Sequence, residues 1–167
     1  IAQGKWRDPF DLPERGALIP KLSELAYQMQ ANRSATAGGQ IRVDFDTACE
    51  LLKHERDEDI LRAGVALNVL DEDTAREEVL FFHQLLQEFF AARKLADEPD
   101  MTKIRVEWRA DSVKPSLEET LAGLADSDPL PPLPGTGWEE TAILAAVLNE
   151  NPDAYLRDLM AVNLPLA

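Results

Sequence analysis

The stretch that most constrains this chain runs from Val79 to Ala96. It opens with four apolar residues, Val79-Leu80-Phe81-Phe82, and continues as His83-Gln84-Leu85-Leu86-Gln87-Glu88-Phe89-Phe90-Ala91-Ala92-Arg93-Lys94-Leu95-Ala96. The apolar run reads as a short buried strand. The remainder reads as a long amphipathic helix, because Phe82, Leu85, Phe89, Ala92 and Ala96 recur at alternating spacings of three and four and so share one face. Leu86 and Phe90 widen that stripe. The expected arrangement packs this face behind the strand that precedes it. His83, at the junction, is the one residue that such packing leaves unexplained.

Upstream, residues 1–16 are polar and turn-rich, with Pro9 and Pro13, and read as an extended approach chain. Pro20 sits in the first turn of a helix whose inner face is Leu22, Leu25, Ala26 and Met29. That helix should end before the loop of residues 34–39. Ile41 to Val43 is a short strand or bridge. Asp46 is the expected cap of a second helix, with Ala48, Leu51 and Leu52 inward. A third, from Glu58 to Ala63, should stop at Gly64 in the left-handed conformation. Val65 to Leu70 and Glu77 to Phe82 then read as the strands of a hairpin, with Asp71 to Ala75 at its tip. Three helices, a hairpin and a closing helix predict a mainly α fold, a winged helix over residues 17–96. Residues 97–137 form a proline-rich connector, with a strand at Ile104 to Trp108 and a helix from Ser116 to Leu124 that Ser116 and Glu119 would cap. Asp126 to Gly137 is a semi-rigid spacer. Residues 138–167 are a helical hairpin, the start of a helical, solenoid-like region.

Charge narrows the partners. Lysine and arginine number 17 against 31 acids, for a formal net charge of -14. Such a surface repels phosphate backbones and anionic membranes, so neither nucleic acid nor membrane is an expected partner. The single cysteine, Cys49, cannot form an internal disulfide and reads as a small core residue. No apolar run is long enough to span a bilayer. No phosphate loop, dinucleotide fingerprint, metal-ligand spacing or paired nucleophile and base is present. By itself the chain is expected not to be an enzyme and to hold no cofactor or metal. Opening at Ile1, it reads as a piece of a longer polypeptide, with the cytoplasm as the default home.

Phe82-His83 followed by Gln87-Glu88-Phe89-Phe90-Ala91-Ala92 resembles the winged-helix segment of NACHT-family signal-transduction NTPases, the STAND-type switches that include the animal nucleotide-binding leucine-rich-repeat receptors of innate immunity. Leu12-Pro13-Glu14-Arg15-Gly16 is similar to the tail of the helical element before that domain. Leu22 to Met29 looks like its first helix, and Ile60 to Gly64 like the helix before its hairpin. Gly137-Trp138-Glu139-Glu140-Thr141 is similar to the start of the C-terminal helical sensor region.

The resemblance implies a regulatory, non-catalytic portion of a nucleotide-switched ATPase. In it His83 would contact the phosphate of ADP held by an upstream nucleotide-binding domain of the same polypeptide, where ATP and Mg would also bind. Further implied partners are downstream sensor repeats and, on activation, an oligomer. Two other readings stay open. One is a winged-helix DNA-binding regulator, and the other is a protein–protein interaction module built on residues 138–167. His83 could also simply satisfy a strand end, Gln87 and Glu88 could only pack or cap, and Trp138 could be a core anchor.

Overall fold

The structure is a computed structural model that describes residues 16–32, 41–106, 116–123 and 135–167. It is mainly helical, with one small antiparallel sheet. The loop of residues 34–39, the spacer of residues 126–134 and the segment of residues 1–15 lie outside the described residues.

Helix α1 spans Leu18–Ala31 and buries Leu22, Leu25, Ala26 and Met29, the face its spacing predicts. Gln30 is buried beside them. Strand β1, Arg42–Asp44, leads straight into helix α2, Phe45–Leu52. The cap of α2 is Asp44, not Asp46: its carboxylate accepts from the N–H groups of Asp46 at 3.0 Å and Thr47 at 3.2 Å. Asp46 instead lies in the first turn, where a negative charge complements the helix dipole. Lys53 closes α2 in the left-handed region, at φ 47°.

Helix α3 spans Asp57–Ala66, beyond the expected stop at Gly64. Gly64 is needed for space instead of backbone conformation. A Cβ there would lie 2.7 Å from Leu70 Cδ1 and 2.9 Å from Leu70 Cγ, so only glycine lets α3 approach the next strand this closely. The left-handed turn falls at Asn68, φ 55°, a residue type that tolerates it. Residues 65–69 are therefore helix end and turn, not strand.

Strand β2 is Leu70–Asp73 and strand β3 is Glu78–Phe81. They pair antiparallel with Leu70 opposite Phe81 and Asp73 opposite Glu78. β1 pairs on the other edge of β3, giving the order β1-β3-β2. The inner residues of this unit join α1, α2 and α3 in one core that includes Leu25, Leu52, Ile60, Leu61, Val79, Phe81 and Phe90. Burying a side chain the size of Phe81 contributes about 1.5–3 kcal/mol.

Helix α4, Gln84–Asp97, closes that core and opens a second one. The second core joins Ala92, Leu95 and Ala96 of α4 to Ile104, Trp138, Ala142, Ala145, Tyr155 and Leu159. The last five belong to the approach and body of helices α6, Glu139–Leu148, and α7, Pro152–Val162, with Pro152 in the first turn of the latter. Between α4 and α6 lies the short helix α5, Leu117–Ala122. Its expected capping box forms. Glu119 N–H donates to Ser116 Oγ at 3.1 Å, and Ser116 N–H donates to Glu119 Oε2 at 2.8 Å. The expected strand from Ile104 is not seen in its described part: Ile104 ends a turn and residues 105–106 are irregular. Val106 N–H donates to the Val162 carbonyl at 3.2 Å, tying this segment to the end of α7 rather than to a strand. Residues 107 and 108 lie outside the described residues.

Candidate functional site

The chain leaves β3 at Phe81 in extended conformation and turns into α4 two residues later. His83 is the cap at that turn, with φ -142° and ψ 141°. Its Nδ1 accepts a hydrogen bond from Leu85 N–H at 3.1 Å. This satisfies one of the orphan donors of the first helical turn, the work usually done by Ser, Thr, Asp or Asn. The bond fixes the chemistry of the ring. An accepting Nδ1 carries no proton, so in the neutral imidazole the proton is on Nε2, leaving Nε2 as a hydrogen-bond donor. The residue as a whole is exposed.

The surroundings of His83 differ from the single-stripe expectation. Phe82 is 61% exposed, Leu85 56% and Phe89 36%. Ala92 and Ala96, on the same face, are buried. The stripe is therefore real, but it does not pack behind the hairpin. Its C-terminal half is covered by the second core, and its N-terminal half lies bare next to His83. The side of α4 that faces the first core is a different one, carrying Phe90 and Ala91, with Leu86 packed against them. Phe90 stacks at a tilt on Phe81, with ring centroids 5.9 Å apart.

Gln87, one turn below His83, is only 2% exposed despite its polarity. Both of its amide heavy atoms lack a hydrogen-bond partner among the described residues. An unmatched buried amide costs about 1–3 kcal/mol, so it is a point of stored cost near the site. The signal for its burial was present in Ala91, Ala92, Leu95 and Ala96, which spread small and apolar residues around more than one face of the helix. Glu88 accepts from Gln84 Nε2 at 2.7 Å, a local pair on the surface. Trp138 is a buried anchor, meeting the Tyr27 ring edge-on at 5.1 Å.

Several groups with perturbed ionisation, Glu24, Tyr27, Lys94 and Asp100, lie away from His83, where α1, α4 and the following loop meet. Lys94 bridges Glu24 at 3.2 Å and Glu98 at 2.7 Å. Partial burial works against its charge, but these two carboxylates hold its pKa above the ordinary lysine value. Glu24 is likewise opposed by burial, yet bonds from Gln28 and Lys94 keep it below the usual carboxylate range. Tyr27 donates to Asp100 at 3.2 Å, and burial together with that carboxylate pushes the phenol up to about 12. Burial, reinforced by Asp57, pushes the Cys49 thiol up to about 11, which makes it a poor nucleophile. These groups form structural ion pairs and buried contacts. None is arranged as a base beside a nucleophile. Among the described residues no group of three or more His, Cys, Asp and Glu could hold a metal ion, and no helix is long and apolar enough to cross a membrane.

With this geometry in hand, comparison with known proteins adds no assignment: no family model, no curated protein and no solved structure matches the chain.

Proposed function

We propose that this chain is the winged-helix and adjoining helical portion of a NACHT-type nucleotide-switched ATPase, and that it senses nucleotide through His83. It would act without catalysis of its own, on ADP or ATP with Mg held by an upstream domain of the same polypeptide. The element order helix, strand, helix, helix, strand, strand, helix with a β1-β3-β2 sheet supports the winged-helix reading. The observation that carries the functional reading is the N-terminus of α4. His83 commits Nδ1 to its own helix, so Nε2–H is the group left to donate to a phosphate oxygen, at a helix N-terminus that favours negative charge. Phe82, Leu85 and Phe89 give the same end of α4 an uncovered apolar surface, as a domain that folds back on a neighbour would need.

The test is ADP release from the parent protein. His83→Ala should speed it roughly tenfold to a hundredfold, the scale of one charge-assisted hydrogen bond. His83→Asp, which keeps a capping acceptor but repels phosphate, should do the same while α4 stays intact. An ADP off-rate unchanged in both variants sinks the role of His83. A parent reading frame without a phosphate loop upstream would sink the whole proposal.

A DNA-binding role is disfavoured by position as well as by net charge. Asp57, Glu58 and Asp59 open α3, and Asp71, Glu72 and Asp73 line β2, where a duplex would approach a winged helix. One observation does favour an interaction role for α6 and α7. Ile143 and Val147 on α6, and Leu156, Met160 and Leu164 on and after α7, are exposed apolar residues at helical spacing. A further helical unit, of the kind sensor repeats provide, would cover them. Analytical ultracentrifugation of Val147→Lys and Met160→Lys against the parent sequence checks this. Self-association that these changes abolish supports an interface there, and an unaltered profile removes the support.

A further inference from the structure

Helices α6 and α7 follow α4 by a long excursion in sequence, yet they are joined to α1, α4 and the chain after α4 by buried and part-buried polar bonds as well as by apolar contact. Gln30 of α1 is the centre of this junction. Its Nε2 donates to the Gly137 carbonyl at 2.8 Å, and its Oε1 accepts from Thr141 Oγ1 at 3.1 Å. Gln30 and Thr141 are both buried, and they are 111 residues apart in the chain. Both ends of the amide are thus satisfied by the helix pair and its approach. Asn149, at the end of α6, donates to the Ala96 carbonyl at 2.7 Å. Asn163, at the end of α7, donates to the Ile104 carbonyl at 3.0 Å. Tyr27, on the same helix as Gln30, meets Trp138 edge-on with ring centroids 5.1 Å apart.

Apolar contact alone fixes two surfaces together without fixing their register. A buried amide that can be satisfied in only one arrangement does fix it, because any slip leaves donor and acceptor stranded in a low-dielectric site. We propose that Gln30 is a latch: it locks α6 and α7 onto α1 and α4 in a single register, so that the helix pair and the hairpin-bearing body open and move as one unit. The latch does not depend on what His83 binds. Its consequence for that site is that α4 carries both the second core and His83, so the pair cannot shift without displacing the helix that His83 begins.

Site-resolved hydrogen exchange on the full 167-residue chain tests this. In the unsubstituted protein the slowest amides of α6 and α7 should match those of α1 and α3 within about threefold, as expected of one cooperative unit. Thr141→Val keeps the shape but removes the donor to Gln30. It should speed exchange in α6 and α7 at least tenfold relative to α1, while Thr141→Ser should leave the ratio unchanged. Gln30→Asn, too short to reach both partners, provides a second break should Thr141→Val fail to fold. Helices α6 and α7 exchanging tenfold faster than α1 in the unsubstituted chain would overturn the proposal. So would a break at the latch that leaves the ratio of the two sets unchanged.

Discussion

His83 caps α4 through Nδ1, and that task can be tested apart from the role proposed for Nε2. As the cap of α4 it should behave like other capping acceptors. His83→Ala should destabilise this chain by about 1 kcal/mol, while His83→Asn should be close to neutral. Urea denaturation checks both, and equal losses for the two variants would mean that the Nδ1 bond to Leu85 contributes nothing. Gly64 offers an independent test at the same scale. Alanine is the better helix former by about 1 kcal/mol. Its Cβ, however, would meet buried Leu70 well inside contact distance, and overpacking of this kind costs about 1–3 kcal/mol. Gly64→Ala should therefore be net destabilising, and less so when combined with Leu70→Val, which frees the crowded space. A stabilised Gly64→Ala would show that α3 can move away from β2 at little cost.

Helix α4 displays both what apolar periodicity reveals and what it hides. Its existence, and the apolar stripe Phe82, Leu85, Phe89, Ala92 and Ala96, were legible because three- and four-residue spacing is a property of the helix itself. The partner of the stripe was not legible. A helix that serves two cores has two inner faces, and periodicity cannot say which apolar face meets which neighbour. Nor can it show that Gln87, polar as it is, turns inward. The same limit applies to Gly64 and Asp44. Local sequence shows glycine's backbone freedom at Gly64 but not the approach of Leu70, and it points to Asp46 as a cap where the structure uses Asp44 because helix boundaries shift by a residue or two. His83 stood out for lack of an explanation, but its capping bond is set by the turn from β3 and could not be read beforehand.

The resulting orientation of α4 has a direct test. Phe89→Gln should cost only about 1 kcal/mol, since Phe89 is 36% exposed and its main contact is an edge-on one with Phe90, ring centroids 5.6 Å apart. Phe90→Ala, next to it, should cost about 3–5 kcal/mol. Similar losses at both positions in thermal or urea unfolding would mean that the bare face is covered after all. The start of α6 gives a pH test. Burial opposes the charge of Glu139, but the N–H groups of Thr136 and Gly137 hold its carboxyl below the ordinary value of 4.5. A depressed folded pKa contributes stability above about 4.5 that is lost as pH falls through the folded value. Trp138 fluorescence should report loosening in that acid window, and Glu139→Gln should flatten the dependence. An identical acid profile in both proteins would assign the transition to other carboxylates.

For the molecule as a whole, the formal charge of -14 is the dominant long-range term. The described ion pairs are mostly on the surface: Arg62 with Glu58 and Arg76 with Asp73 are largely exposed, and pairs of that kind contribute little. Only Lys94, between Glu24 and Glu98, is substantially sheltered. Attraction between local pairs is therefore weak, while repulsion among the excess carboxylates acts over the whole fold. Added salt weakens both, shortening the screening length from about 30 Å at 0.01 M to about 8 Å at 0.15 M. Because repulsion is the larger of the two, raising NaCl over that range at neutral pH should raise the melting temperature. Lys94→Met should keep that rise, since it removes a local pair and adds to the excess negative charge. A melting temperature that falls with NaCl would mean that local ion pairs outweigh the net charge, and that the acidic surface is better compensated than its composition implies.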